Sequence, residues 1–270
     1  MTGPTPLLDF FKRGEVERDV RMAAAQGTLA PRAHEQLAIL VLLLEDPDGE
    51  IRQTAGDTVS RIPEAALKSF LGRSDVPVGL REFFAGRGVV PDERPDLQAE
   101  VDVDEPLLDA GSASEEEPAI DEERDEPETR ETAQQRLHKM SFTERLRAAV
   151  KGTREMRAIL IRDTNKMIAA AVLSSPKLAE PEVEAFAKMA NVSDDVLRTI
   201  SQNRAWMKNY NIALSLAKNP KTPVGTSLHI MPRLNDRDLA QLSVDRNVPE
   251  PLRIAARKKV VAKQLGKDRG

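Results

Sequence analysis

The sequence predicts an all-α fold of stacked helix pairs. Three observations predict the helical class. Ile-Ala pairs recur at Ile168-Ala169, Ile212-Ala213 and Ile254-Ala255, with spacings of 44 and 42 residues. Ala, Leu, Val and Ile carry the apolar content while aromatics supply only 3%, and small or straight aliphatics suit closely stacked helices. Runs that alternate with period two, the mark of half-buried strands, are few.

Taken in order, Pro4 to Phe11 is a short apolar segment with Leu7, Leu8, Phe10 and Phe11 together. A helix follows from Glu15 to about Gln26 and stops at Gly27. The next starts at Pro31, carries the apolar run Leu37 to Leu44, and ends near Asp46-Pro47, because proline disfavours helical geometry in the residue before it. Asp46 then caps a helix through Val59, Ile62-Pro63 opens one through Leu71, and Asp75-Val76-Pro77 opens another. Helices resume near Gln134. Ser141 and Glu144 form a capping box, Thr153 begins a helix to about Ile161, and Asn165 begins the first Ile-Ala helix. Helices at Glu180 to Met189, after Ser193, at Trp206 to Ala217, from about Thr222, after Asn235 and from about Pro249 to Leu265 complete the chain.

The net charge of −4 hides a strong polarity along the chain. Residues 1–90 carry 11 basic and 13 acidic side chains, residues 91–130 carry 3 and 17, and residues 131–270 carry 26 and 14. The middle stretch also holds Pro91, Pro95, Pro106, Pro118 and Pro127, with Glu115-Glu116-Glu117 and an acidic run from Asp121. Its few apolar residues bury too little surface to offset the entropy of ordering. The expected organisation is an N-terminal helical module over 1–90, a disordered acidic linker over 91–132, and a C-terminal α-solenoid over 133–270. The linker reads as a solubilising tether or as an electrostatic mask that folds back on the basic half.

The Ile-Ala repeat, Asp46-Pro47 leading to Ile51-Arg52, the turns at Pro176 and Pro220, and the matched starts Val76-Pro77 to Leu80-Arg81 and Val248-Pro249 to Leu252-Arg253 carry a family likeness. On these residues the chain resembles HEAT-like α-solenoid repeat proteins, whose units repeat every ~40–47 residues. The resemblance covers most of 30–88 and 140–262, and it implies protein–protein scaffolding.

Chemistry leaves little trace. Cysteine is absent, so no disulfide, thiolate nucleophile or Cys-ligated metal is available. His34-Glu35 begins like a zinc-protease motif, but position 38 is Ala, and His138 and His229 lie far away. Gly86-Arg87-Gly88 lacks the rest of a dinucleotide fingerprint, and Gly266-Lys267 has no upstream glycine at P-loop spacing. Asp102 and Asp104 read as solvated carboxylates in an acidic run. We therefore expect no enzyme, no catalytic residue, no cofactor, no metal and no small-molecule substrate. The start of the chain has no basic and apolar leader pattern, and Leu37 to Leu44 falls far short of the roughly 20 residues that cross a bilayer, so a cytoplasmic protein without a membrane partner is expected.

Two features point to a partner. Arg204, Trp206, Lys208 and Tyr210 place the only Trp and the only Tyr between cations, with Asn203, Asn209 and Asn211 around them. They read either as one helix face packed inward or as an aromatic anchor on a surface, where Trp, Tyr and Arg are enriched. Ser243 and Arg246 repeat the spacing of Ser201 and Arg204, which would extend such a surface. The second feature is the basic end: Arg253, Arg257, Lys258, Lys259, Lys263, Lys267 and Arg269. It reads as a capping helix with a polar outer face or as a site for an acidic partner. The leading expectation is a scaffold that binds an acidic protein through its C-terminal repeats. The alternative is a nucleic-acid-binding protein whose basic half is masked by the acidic linker.

Overall fold

The computed structural model describes residues 5–91, 105–110 and 133–267, and among them it has sixteen α-helices, two 3-10 turns and no strand. The chain divides into two compact units, Met1–Leu178 and Ala179–Gly270.

Unit 1 holds α1 (Pro6–Lys12), α2 (Arg18–Ala25), α3 (Ala33–Leu43), α4 (Gly49–Arg61), α5 (Glu64–Gly72), α6 (Val78–Ala85), α7 (Ala133–Lys139), α8 (Phe142–Lys151), α9 (Arg154–Leu160) and α10 (Lys166–Leu173). Helix α3 is apolar nearly all round because α1, α2 and α4 all pack against it, burying Leu37, Ile39, Leu40 and Leu43. Helix α1 also packs on α10, and α2 packs on α8. Helices from both sides of 91–132 therefore share one core, and the contacts separate the chain at Leu178–Ala179, where the sequence suggests a new domain at 133.

The helix starts follow local chemistry. Ser141 and Glu144 make the expected capping box, and Thr153 and Asn165 cap α9 and α10 with their side chains. The cap of α4 is Asp48, which accepts the Glu50 N–H at 2.9 Å. Asp46, expected in that role, is buried one step earlier, where it accepts the Asp48 N–H at 2.9 Å and lies 3.5 Å from Arg21. Gly27, just past α2, has φ +76, a left-handed conformation that side chains with a Cβ rarely adopt. Thr5 makes no side-chain cap for α1; the carboxylate of Glu35 in α3 takes that place, accepting the N–H groups of Leu7 at 2.8 Å and Leu8 at 2.9 Å.

Six residues inside the expected linker, 105–110, are held against unit 1: Leu107 and Leu108 are half-buried, and the backbone of Leu108 pairs with Gln36. The linker expectation does not hold for them, because these contacts offset the entropy of ordering a short segment. Asp102, Asp104, Glu115–Glu117 and the run from Asp121 lie outside the described residues.

Unit 2 holds α11 (Glu180–Lys188), α12 (Asp194–Gln202), a 3-10 turn at Trp206–Lys208, α13 (Tyr210–Lys218), α14 (Val224–Ile230), a second 3-10 turn at Met231–Arg233, α15 (Asp236–Val244) and α16 (Glu250–Lys267). The expected helix from Trp206 to Ala217 is broken at Asn209. That residue is extended, and its side chain caps α13 by accepting the Asn211 N–H at 2.9 Å. Competition from the Asn side chain for the local backbone explains the break. The same chemistry turns other corners: Asn203 accepts from Ala205, Asn219 from Lys221 and Asp245 from Asn247, each at 2.9 Å. Asn219 does more, since its Nδ2 donates to the carbonyls of Ala187 at 2.8 Å and Met189 at 2.9 Å, tying the end of α13 to the end of α11.

Candidate functional site

The candidate residues of unit 2 do not all reach the surface. Trp206 is only 6% exposed, and Met207 beside it is also buried. The reading of Trp206 as a surface anchor is corrected: the 3-10 turn directs its indole into the core between α12 and α13, both of which pack against the turn. Tyr210 is 37% exposed, but its hydroxyl is engaged within the unit. It donates to Asp238 Oδ2 at 2.5 Å and accepts the Asn235 N–H at 3.1 Å, which fastens the start of α13 to the start of α15. Partial burial raises the Tyr210 pKa, and the neighbouring Asp238 carboxylate adds to the rise.

Arg204 and Lys208 are exposed on either side of the turn, and Arg246 is exposed between α15 and α16. The matched spacing of Arg204 and Arg246 has a structural cause. Each follows a corner residue, Asn203 or Asp245, whose side chain accepts an N–H two residues on, and that turn points the residue between toward solvent. Arg233, which the sequence did not single out, donates from Nη2 to the Met207 carbonyl and so joins the two 3-10 turns.

The basic end forms a definite surface. Helix α16 packs on α14 and α15, and it buries Leu252 and Ala256 in doing so. At about 100° per residue, positions 254, 257, 258 and 261 fall on the opposite side of the helix. Ile254 is 48% exposed and Val261 is 47% exposed, and Arg257 and Lys258 between them are exposed as well. Arg253 sits half-buried at the edge of this stripe. Lys259 is also half-buried, while the side chains of Lys263 and Lys267, and Arg269 altogether, lie outside the described residues.

The three Ile-Ala pairs differ in burial. Ile168 and Ala169 in α10, and Ile212 and Ala213 in α13, are buried as repeat cores should be, but Ile254 and Ala255 are not. Helix α10 is packed by α1, α8 and α9, and α13 by α11, α12 and α14. Helix α16 is the last described helix, and its contacts with α14 and α15 use the Leu252 and Ala256 side only. The third pair carries the sequence pattern, but among the described residues no helix covers it.

Among the described residues no group of three or more His, Asp or Glu side chains is placed to hold a metal ion, and no helix is long and apolar enough to cross a membrane. Compared with known proteins, the chain matches no family model, no curated protein and no solved structure.

Proposed function

We propose that this chain is a non-enzymatic scaffold whose unit 2, built of HEAT-like helix pairs, binds an acidic protein partner through the outer side of α16. The observation that carries the reading is the stripe of Ile254, Arg257, Lys258 and Val261. Two branched aliphatics left half in water beside two exposed cations make a surface of mixed character. An apolar ridge flanked by carboxylates complements it in both shape and charge. Arg204, Lys208 and Arg246 add positive charge elsewhere on the unit and serve to steer such a partner. A purely ionic surface for phosphates gains nothing from Ile254 and Val261.

The test uses the full chain and two double variants, Ile254→Ser with Val261→Ser and Arg257→Glu with Lys258→Glu. Acidic proteins captured by the wild type are identified, purified and titrated back. Each double variant is expected to weaken binding by about tenfold or more, the size of a modest interface hot spot. A purified partner whose affinity is unchanged by both variants overturns the reading. The same variants test the nucleic-acid alternative, which rests on the 26 basic against 14 acidic side chains of residues 131–270. Fluorescent DNA or RNA that binds with a steep salt dependence, and ignores the loss of Ile254 and Val261, would decide for phosphate recognition.

A further inference from the structure

Residues 105–110 form neither helix nor strand and are held against unit 1. Gln36 clasps Leu108 through both backbone groups. Its Oε1 accepts the Leu108 N–H at 3.2 Å, and its Nε2 donates to the Leu108 carbonyl. The Ala110 N–H donates to the Gly27 carbonyl at 3.4 Å. Lys151 in α8 pairs with the Asp109 carboxylate. The floor is Gly27, where an added Cβ would lie 3.3 Å from Thr58, 3.5 Å from a Leu108 methyl and 3.7 Å from the Ala110 methyl. Glycine at this position is required by its φ of +76, while an added Cβ would only touch Leu108 and Ala110 at ordinary van der Waals distance.

The segment repeats a sequence found elsewhere in the unit. Pro6-Leu7-Leu8-Asp9 and Pro106-Leu107-Leu108-Asp109 are identical tetrapeptides exactly one hundred positions apart in numbering. The two copies are gripped by adjacent residues of α3. Glu35 accepts the N–H of Leu8, the second leucine of the first copy, and Gln36 accepts the N–H of Leu108, the second leucine of the other. The first copy is the buried helix α1, part of the core. The second is held by backbone bonds, one half-buried leucine pair and one part-exposed ion pair. Side-chain amides that pair with a peptide backbone, together with a small floor residue and a cation for one carboxylate, recognise a peptide with little dependence on the rest of its sequence.

We propose that the surface formed by Gly27, Gln36 and Lys151 is a docking site for a Pro-Leu-Leu-Asp peptide of a partner protein, and that residues 105–110 occupy it as a competitor within the same chain. A tethered occupant is present at an effective concentration of the order of millimolar, so it outcompetes a free peptide without strong contacts of its own. Displacing it requires a partner that brings either a tighter Leu-Leu-Asp segment or additional contacts. This site is separate from the α16 stripe and stands or falls independently of it.

The test is fluorescence anisotropy with a labelled peptide copying residues 103–112 of this sequence, titrated with the full-length chain. Leu108→Ser with Asp109→Ala in the protein empties the site and is expected to tighten peptide binding about tenfold or more. Adding Gln36→Ala to that variant should reverse the gain. Lys151→Glu, a surface change, should also weaken binding, and a peptide with Lys in place of its Asp should restore it. Thermal midpoints within a few degrees of wild type confirm that each variant is folded. Equal affinity in the wild type and the emptied variant overturns the competition, and peptide binding that ignores both Gln36→Ala and Lys151→Glu overturns the site.

Discussion

The carboxylate of Glu35 accepts the Leu8 N–H at 2.9 Å, and by also taking the Leu7 N–H it caps a helix from outside that helix. A helix start leaves its first N–H groups without partners, and α1 has no side-chain cap of its own. Glu35→Ala leaves both buried N–H donors without their acceptor and is expected to cost about 2–4 kcal/mol in urea unfolding. Glu35→Gln keeps an acceptor oxygen and should cost less than half of that.

The same carboxyl sets a pH dependence. Burial raises its pKa above the ordinary 4.5, against the opposing pull of the Leu8 N–H and the Ser174 side chain. Between the ordinary and the raised value the folded chain holds a proton that the unfolded chain has released. Glu35's contribution to stability is therefore greatest on the acid side and falls as pH rises through that interval. Unfolding curves measured from pH 4 upward should show this fall in the wild type, and Glu35→Gln should remove it.

Asn219 is expected to be the most sensitive corner of unit 2. Its amide gives two bonds to the carbonyls of Ala187 and Met189 and accepts one from Lys221. Asn219→Ala should cost about 2–3 kcal/mol, because the buried Ala187 carbonyl loses its donor. Asn219→Asp, nearly the same shape, should be no better, since it sets a carboxylate against two carbonyl oxygens. Chemical denaturation of both variants checks the order.

Trp206 offers a direct optical test because it is the only Trp in the chain. Its burial predicts a blue-shifted emission that acrylamide quenches weakly in the folded protein. Trp206→Ala should cost about 3–5 kcal/mol by leaving a large cavity. Partner binding on α16 should leave the emission maximum where it is.

Tyr210, the only Tyr, can be titrated alone by absorbance. Partial burial, with Asp238 beside the hydroxyl, should place its midpoint above the ordinary 10.0. Asp238→Asn removes the repelling charge and should bring the midpoint down. Since the protonated phenol is the form the fold favours, any stability it contributes is present below its ordinary value and is lost as pH rises through the raised one.

The sequence by itself determined the all-helical class, most helix starts and the placement of the Ile-Ala pairs on helices. These follow from short-range rules: a Ser, Thr, Asn or Asp beside free N–H groups, and apolar residues at helical spacing. It also located the basic end of the chain. Tertiary structure alone decided which of these residues are buried and which reach the surface. Trp206 and Tyr210 are four apart in sequence, yet Asn209 breaks the helix between them, so one is buried in the core and the other ties α13 to α15. Ile254 has the same local pattern as Ile168 and Ile212, yet it faces water because α16 is packed on the Leu252 and Ala256 side only. Residues 105–110 sit in an acidic run whose composition argues against order, yet Gln36, Gly27 and Lys151 hold them in place. In each case the deciding partner is distant in the chain, and burial is a property of the pair, which local composition does not encode.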